Sequence, residues 1–146
     1  MIIAMAEAMK LHYQVDGEDF TRAGETSSKV KKTLSQLGFN PEVVRRVSIA
    51  MYEGEINMVI HADGGDIDVD ILPERITVVM KDVGPGIPDL EKAMTAGFST
   101  ADNSVRELGF GAGMGLPNMK KYSDSLDIET EIGVGTKVTL VFETKA

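Results

Sequence analysis

Alternating hydrophobic and polar positions predict five β-strands along the chain. Successive side chains of a strand point to opposite faces, so this pattern is typical of strands with one buried face. The segments are LHYQVDG at 11–17, DIDVDIL at 66–72, RITVVMKD at 75–82, SLDIETEI at 125–132 and GTKVTLVFET at 135–144. Because these strands alternate and are not apolar throughout, a doubly wound sheet buried on both faces is disfavoured.

Helices are predicted between the strands, over 21–37, 41–62, 90–96 and 116–124. Gly38 follows the first helix as a C-cap residue, while Asn40 as N-cap and Pro41 in the first turn mark the start of the second. Together these elements predict an α+β fold, a two-layer α/β sandwich with helices on one face of a mixed, mainly antiparallel sheet.

The charge of the chain narrows its possible partners. Fifteen basic and 23 acidic side chains among 146 residues give a formal net charge of −8. Nucleic acids and anionic lipid surfaces are polyanions that need a basic face, so we expect no direct binding to nucleic acid or membrane. The absence of cysteines excludes disulfides and thiolate chemistry and agrees with a cytoplasmic location.

The N-terminal MIIAMAEAM lacks a basic leader, and its apolar run is too short for a signal-peptide core or a membrane span. Met1, Met5 and Met9 leave the true start open. We therefore treat residues 1–9 as an N-terminal extension and base no inference on them.

A polar stripe lies on the second predicted helix. Glu53, Asn57 and His61 are spaced four residues apart, and each step turns the helix by about 40°, so their side chains share one face. Glu55 lies on a different face. A carboxylate, an amide and an imidazole beside apolar residues could line an inner site, or could form a solvent-exposed stripe with hydrogen bonds between residues four apart. The helix alone leaves both interpretations open.

A second candidate is DVGPG at 82–86, directly after a predicted strand. Aspartate and glycine dominate tight turns for conformational reasons, so a simple turn is one interpretation. The other is a binding site, because a carboxylate held by a tight turn is an acceptor suited to an exocyclic amine such as that of adenine.

The third candidate is ELGFGAGMGL at 107–116, which has a glycine at every second position. It ends a segment, 97–115, that has no clear hydrophobic periodicity. A loop of this length inside a compact domain is usually a functional lid or a mobile loop. The segment fits neither G-x-x-x-x-G-K-[ST] nor G-x-G-x-x-G. Bare backbone N–H groups that run into a helix start would suit an anion, and a flexible hinge loop is the alternative.

The order of these motifs is more informative than any one of them. Glu-x-x-x-Asn on a helix, Asp-x-Gly-x-Gly after a strand, a Gly-x-Gly lid before a helix and Gly-x-Gly-Thr before the last strand resemble the GHKL nucleotide-binding domain, or Bergerat fold. Gyrase, heat-shock chaperone, histidine kinase and MutL ATPases share this domain. GFST at 97–100 and GAGMGLPNMKKYSD at 111–124 are most similar to bacterial anti-sigma regulatory factors and switch serine/threonine kinases. The resemblance covers roughly 10–143 and implies one ATP-binding domain over 10–146.

The resemblance implies a role for each matching position, with ATP or ADP and Mg²⁺ as cofactors. Glu53 matches the acid that acts as a base, and Asn57 matches the asparagine that ligates Mg²⁺. Asp82 matches the acceptor of the adenine amino group, and Thr136 matches the threonine that helps to hold the adenine end. The implied nucleotide-contacting residues are Asn57, Asp82, Gly84, Gly86, Gly109, Gly111, Gly113, Met114, Gly115, Leu116 and Thr136. His61 receives no role.

One position departs from the family pattern. Some anti-sigma kinases carry an arginine directly before the last Gly-Met-Gly of the lid, where this chain has Gly111-Ala112. Arg106 is the nearest arginine, and Lys120 or Lys121 could substitute. Because loss of such a cation can slow phosphoryl transfer by orders of magnitude, nucleotide binding is the more secure expectation.

We expect a serine/threonine protein kinase that acts on a small regulatory partner, a STAS-domain protein similar to anti-sigma-factor antagonists. A sigma factor is a further expected partner, and the resemblance also allows a homodimer. The alternative is a nucleotide-sensing binding module that captures a sigma factor or another regulator with little catalysis. A detached histidine-kinase catalytic domain is disfavoured because no dimerisation helix with a phosphoacceptor histidine precedes the domain; a purely structural domain is a further alternative.

Overall fold

Five strands form one sheet in the computed structural model, which describes residues 9–17, 22–94 and 115–144. They are β1 Met9–Asp16, β2 Gly64–Ile71, β3 Arg75–Asp82, β4 Ser125–Glu131 and β5 Gly135–Glu143. The strand order is β1-β2-β3-β5-β4, and each of the four pairings is antiparallel. The sequence predicted a mixed, mainly antiparallel sheet, and the described residues contain only antiparallel pairs.

A helix lies in each predicted range, and the first begins later than predicted. They are α1 Glu25–Gln36, α2 Pro41–Ile60, α3 Leu90–Ala93 and α4 Gly115–Tyr122. The Asn40 side chain accepts a hydrogen bond from the backbone N–H of Glu42 at 2.8 Å, which confirms the N-cap of α2. Gly38 adopts φ +86° just beyond α1, as expected for the residue that ends a helix.

The hydrophobic core lies between the helices and one face of the sheet. Alternate residues of β2, β3 and β5 are buried, and those of the edge strands β1 and β4 are partly buried; they pack against apolar residues of α1, α2 and α4. Fully buried members include Ile67, Val69, Ile76, Val78, Leu140 and Phe142. The residues between them on the strands face away from the helices and are polar or half-exposed, which confirms the two-layer α+β arrangement. In the described ranges, no helix is both long and apolar enough to span a bilayer.

The two edge strands of the sheet differ in charge. β1 carries Lys10 and His12 among its exposed residues. β4 exposes Asp127, Glu129 and Glu131, which alternate along the strand and therefore share one face of the sheet. The edge formed by β4 is thus predominantly acidic.

Gly54 lets α2 approach both the sheet and α4 closely. A Cβ atom built on Gly54 would overlap Met80 Sδ of β3 and would lie 3.2 Å from Met119 Cε of α4. A side chain at this position would require the ends of the Met80 and Met119 side chains to shift within a close-packed interior. The glycine therefore lets these two methionines pack directly against α2.

A buried carboxylate from α2 caps the start of α1. Glu55 is 2% exposed, and its Oε1 and Oε2 accept hydrogen bonds from the backbone N–H groups of Ser27 at 3.0 Å and Thr26 at 3.2 Å. Gly24, at the N-cap position, supplies no side-chain acceptor. The distant carboxylate thus replaces a local cap, and its negative charge also interacts favourably with the helix dipole.

We expect Glu55→Ala to destabilise the fold by about 2–4 kcal/mol, because two buried N–H groups lose their acceptor. Chemical denaturation followed by circular dichroism measures this change. Glu42→Ala is the matched control: Glu42 is exposed on α2 and pairs with Arg45 in solvent, so its loss should leave the stability almost unchanged. Equal losses in the two variants would contradict the capping role of Glu55.

Candidate functional site

The polar stripe of α2 is half-buried. Glu53, Asn57 and His61 all have intermediate exposure, and the first two lie beside α4. Asn118 of α4 donates a hydrogen bond from Nδ2 to Glu53 Oε2 at 3.2 Å. These contacts favour an inner site over a solvent-exposed stripe.

The first residue of α4 lies directly on the Asn57 amide. A Cβ atom on Gly115 would be 2.9 Å from Asn57 Nδ2 and 3.0 Å from Asn57 Oδ1. Any larger residue at position 115 would therefore displace that amide. Leu116, the next residue, is 8% exposed and belongs to the hydrophobic core, so it fixes the start of α4 against the domain.

His61 lies one turn beyond Asn57 at the end of α2. Burial lowers the pKa of its imidazole, because removal from water disfavours the charged form. The neutral ring is therefore the dominant form at neutral pH.

The turn after β3 holds its carboxylate against β5. Asp82 Oδ1 accepts a hydrogen bond from the backbone N–H of Thr136 at 2.8 Å, and Thr136 is buried. Burial raises the pKa of the Asp82 carboxyl, while the hydrogen bond from Thr136 acts in the opposite direction. The side chain is thus held in one orientation and keeps partial access to solvent.

A threonine pair extends this connection to the far end of the turn. The hydroxyl oxygens of Thr130 and Thr136 are 3.0 Å apart, and the backbone N–H of Ile87 donates to Thr130 Oγ1 at 2.8 Å. Gly84 N–H donates to the carbonyl oxygen of Val134 at 3.2 Å. The loop after β3 is therefore fastened to the β4–β5 hairpin at both ends.

Two glycines of this loop make close contacts with neighbouring elements. A Cβ atom on Gly84 would lie 2.8 Å from Ala62 Cβ, just after α2, and one on Gly86 would lie 2.7 Å from the Glu131 carbonyl oxygen. Gly86 also adopts φ +80°, which favours glycine. The end of the polar stripe and the Asp82 loop are thus neighbours.

Part of the predicted phosphate lid lies outside the described residues. This part comprises Arg106, Gly109, Gly111, Gly113 and Met114. Among the predicted nucleotide-contacting residues of this segment, Gly115 and Leu116 lie within the described part of the chain. The nucleotide-contacting role of the glycine run therefore stays a prediction.

The site can supply an oxygen ligand to a metal ion whose other ligands are phosphate oxygens and water. The described residues contain no group of three or more His, Cys, Asp or Glu side chains that could hold a metal ion. Mg²⁺ prefers oxygen ligands, keeps several waters, and binds through one or two protein oxygens when substrate phosphates supply others. The single amide oxygen of Asn57 fits that kind of coordination.

Sequence reasoning missed two contacts of the site. Asn118 lies in GLPNMKKY three residues after Gly115, and its spacing from the lid could have placed it on the first turn of α4. Its partner Glu53 lies 65 residues away and has no local signal. Thr130 alternates with exposed acids in β4, and only the register with β5 brings it to Thr136.

The chain is similar to a family of ATPases and to bacterial regulatory proteins. Residues 42–146 match the family described as histidine kinase-, DNA gyrase B- and HSP90-like ATPase. The serine/threonine-protein kinase RsbT of Bacillus subtilis is 30% identical over 115 residues, which cover 76% of this chain and 80% of RsbT. An anti-sigma F factor of Caldanaerobacter subterraneus is 34% identical over 111 residues, which cover 73% of this chain and 74% of that protein.

Two solved structures share the fold. A chain of the SiaB-SiaC complex from Pseudomonas aeruginosa has a TM-score of 0.62 and 12% identity, and the match covers 97% of this chain and 93% of that one. The RsbU and RsbW domains of a Mycobacterium tuberculosis protein give a TM-score of 0.61 and 14% identity, with 92% of this chain and 32% of that chain covered. At these identities the similarity concerns the fold alone.

We expect the stability of Asp82→Asn relative to that of the wild-type protein to increase as the pH rises. The raised pKa means that the folded wild-type protein binds more protons than the unfolded chain between the two pKa values, so its stability falls as pH rises through that interval. Asparagine does not ionise and its Oδ1 can still accept from Thr136. Urea denaturation at several pH values measures the difference, and curves that stay parallel would contradict the burial effect.

Proposed function

The chain belongs to the family of histidine kinase-, DNA gyrase B- and HSP90-like ATPases, and from this membership we propose that it is an ATP- and Mg²⁺-dependent serine/threonine protein kinase. One set of contacts supports the proposal: α4 lies on Glu53 and Asn57 of α2. Thr136 of β5 holds Asp82, and Gly84 in the loop after Asp82 lies against Ala62 just beyond α2. The names of two relatives, a serine/threonine-protein kinase and an anti-sigma F factor, support the kind of activity.

The adenine end of the nucleotide is assigned to Asp82. Thr136 N–H holds Oδ1, and Oδ2 would accept a hydrogen bond from the adenine amino group. Gly84 and Gly86 let the loop that follows this carboxylate pack closely against Ala62 and Glu131. Adenine would thus be recognised by an acceptor whose orientation is fixed before binding.

The phosphate end is assigned to α4 and Asn57. The N–H groups at the start of α4 and the glycine run before it would bind phosphate oxygens, favoured by the positive end of the helix dipole. Asn57 would contribute its amide oxygen to Mg²⁺ on the triphosphate. When bound, the metal neutralises charge that develops on the γ-phosphate during transfer.

Glu53 is assigned as the base. Its carboxylate would accept the proton of a serine or threonine hydroxyl on the partner while that oxygen forms a bond to the γ-phosphorus. The bond between the γ-phosphorus and the bridging oxygen of ADP breaks, and ADP leaves. The products are the phosphorylated partner, ADP and the protonated Glu53, which later returns its proton to water.

The proposed partner is a small regulatory protein with a STAS domain, in a switch that also includes a sigma factor. This assignment draws on the anti-sigma F factor relatives. We further propose that residues 10–146 form one domain that acts in the cytoplasm, where ATP is available. The pairing of β1 with β2 and the cap from Glu55 to α1 support the inclusion of the segment before residue 42.

A second candidate function is capture of a regulator with little catalysis. Gly111-Ala112 stands where some anti-sigma kinases carry a lid arginine, and this absence favours binding over rapid transfer. In that case, nucleotide would set the affinity for the partner and would be consumed no faster than background.

We expect ATP with Mg²⁺ to raise the melting temperature, since a ligand that binds only the folded state stabilises it. Asn57→Ala should lose most of the Mg²⁺-dependent part of the shift, whereas Asp82→Ala should lose the shift with or without Mg²⁺. Asp127→Ala, which removes an exposed carboxylate from β4, is the control and should keep the full shift. An unchanged Mg²⁺-dependent shift in Asn57→Ala would contradict its role as a metal ligand.

We expect Glu53→Gln to slow phosphate transfer by about 10²–10⁴-fold, because glutamine cannot accept the hydroxyl proton. The assay uses ATP labelled at the γ-phosphate and each STAS-domain protein from the same genome, followed by mapping of the phosphorylated residue. Glu74→Gln, an exposed acid between β2 and β3, should transfer at the wild-type rate. Full transfer by Glu53→Gln would remove its assignment, while stoichiometric capture without transfer by the wild-type protein would favour the second candidate.

A further inference from the structure

Helix α4 contacts both polar residues that the proposed reaction needs on α2. Gly115 lies against the Asn57 amide, and Asn118 donates from Nδ2 to Glu53 Oε2 at 3.2 Å. Residues three apart on a helix share a face, so one turn of α4 meets two residues that are one turn apart on α2. The two helices are therefore in register along the candidate site.

We propose that Asn118 is a positioning residue that holds the Glu53 carboxylate for proton transfer, an inference that rests on the proposed kinase function. A glutamate side chain has several rotatable bonds, and a base must lie within hydrogen-bond reach of the proton that it removes. The amide donor occupies Oε2 and leaves Oε1 to accept the hydroxyl proton. An amide is neutral, so it orients the base without forming an ion pair with it.

Asn118 is itself held firmly by the core. Its neighbour Met119 is 1% exposed and packs at Gly54 of α2, directly after Glu53. Leu116 is also buried in the core. The donor thus stands on a helix whose rotation is fixed by packing, which is the kind of support that keeps a reacting group within a fraction of an ångström of its working position.

The positioning role of Asn118 can be distinguished experimentally from simple structural support, because positioning affects only the transfer step of the reaction. Asn118 meets the proposed base, whereas Asp82, Thr136 and Asn57 carry the proposed nucleotide contacts. Loss of the amide should therefore lower the rate of transfer and leave the affinity for ATP almost unchanged. A fault in folding or packing would lower both, together with the melting temperature.

The test compares Asn118→Ala and the isosteric Asn118→Asp with the wild-type protein in transfer from γ-labelled ATP to a STAS-domain protein that the wild-type protein phosphorylates. We expect kcat to fall by about 10–100-fold and the KM for ATP to stay within about twofold, as misplacement of a reacting group predicts. Aspartate keeps the shape of asparagine but repels the Glu53 carboxylate, so its loss should be at least as large. Ser123→Ala, which removes a hydroxyl that bonds Met119 O on the same helix, is the control.

A double variant distinguishes failure of the positioning role of Asn118 from failure of the proposed kinase function. Adding Asn118→Ala to Glu53→Gln should lower the residual kcat by less than twofold, because the base that asparagine orients is already gone. Wild-type kcat in both Asn118 variants, or the same fold-loss with and without Glu53, would overturn the positioning role alone. A wild-type protein that transfers no phosphate to any of the STAS-domain proteins would instead overturn the kinase proposal, and the positioning role with it.

Discussion

The close approach of α2 to the sheet and to α4 at Gly54 is the constraint on which the rest of the structure depends. A side chain there would force the flexible ends of Met80 and Met119 to move out of their packed positions. The residues on either side of the glycine use this closeness in different ways. Glu53 accepts a hydrogen bond from the Asn118 side chain of α4, and Glu55 accepts hydrogen bonds from two backbone N–H groups of α1. One helix thereby joins the candidate site to the structural core.

The fold could be predicted from local patterns because most of its elements are defined locally. The alternation in β2, β3 and β5 gave their buried faces, and Asn40 with Pro41 gave the start of α2. The start of α1 was predicted near residue 21, yet the helix begins at Glu25. Its cap comes from Glu55, a residue 28 positions away from Ser27, and local sequence contains no signal for a distant cap.

The candidate site was predicted unevenly for a related reason. Spacing alone put Glu53 and Asn57 on one face of α2, whereas their roles, and those of Asp82 and Thr136, came from the order of motifs and remain proposals. The hydrogen bond between Asp82 and Thr136 joins residues 54 positions apart, so only the strand order explains it. Asn118 was missed because its contact with Glu53 depends on how α4 packs against α2.

The acidic edge formed by β4 has a consequence for the behaviour of the protein in concentrated solution. An edge strand offers unpaired N–H and C=O groups to any extended chain that comes alongside. A second copy adding itself antiparallel to β4 would set rows of carboxylates from the two strands side by side, and like charges at that spacing repel. Edge-to-edge aggregation along β4 is therefore disfavoured by the negative charges of Asp127, Glu129 and Glu131.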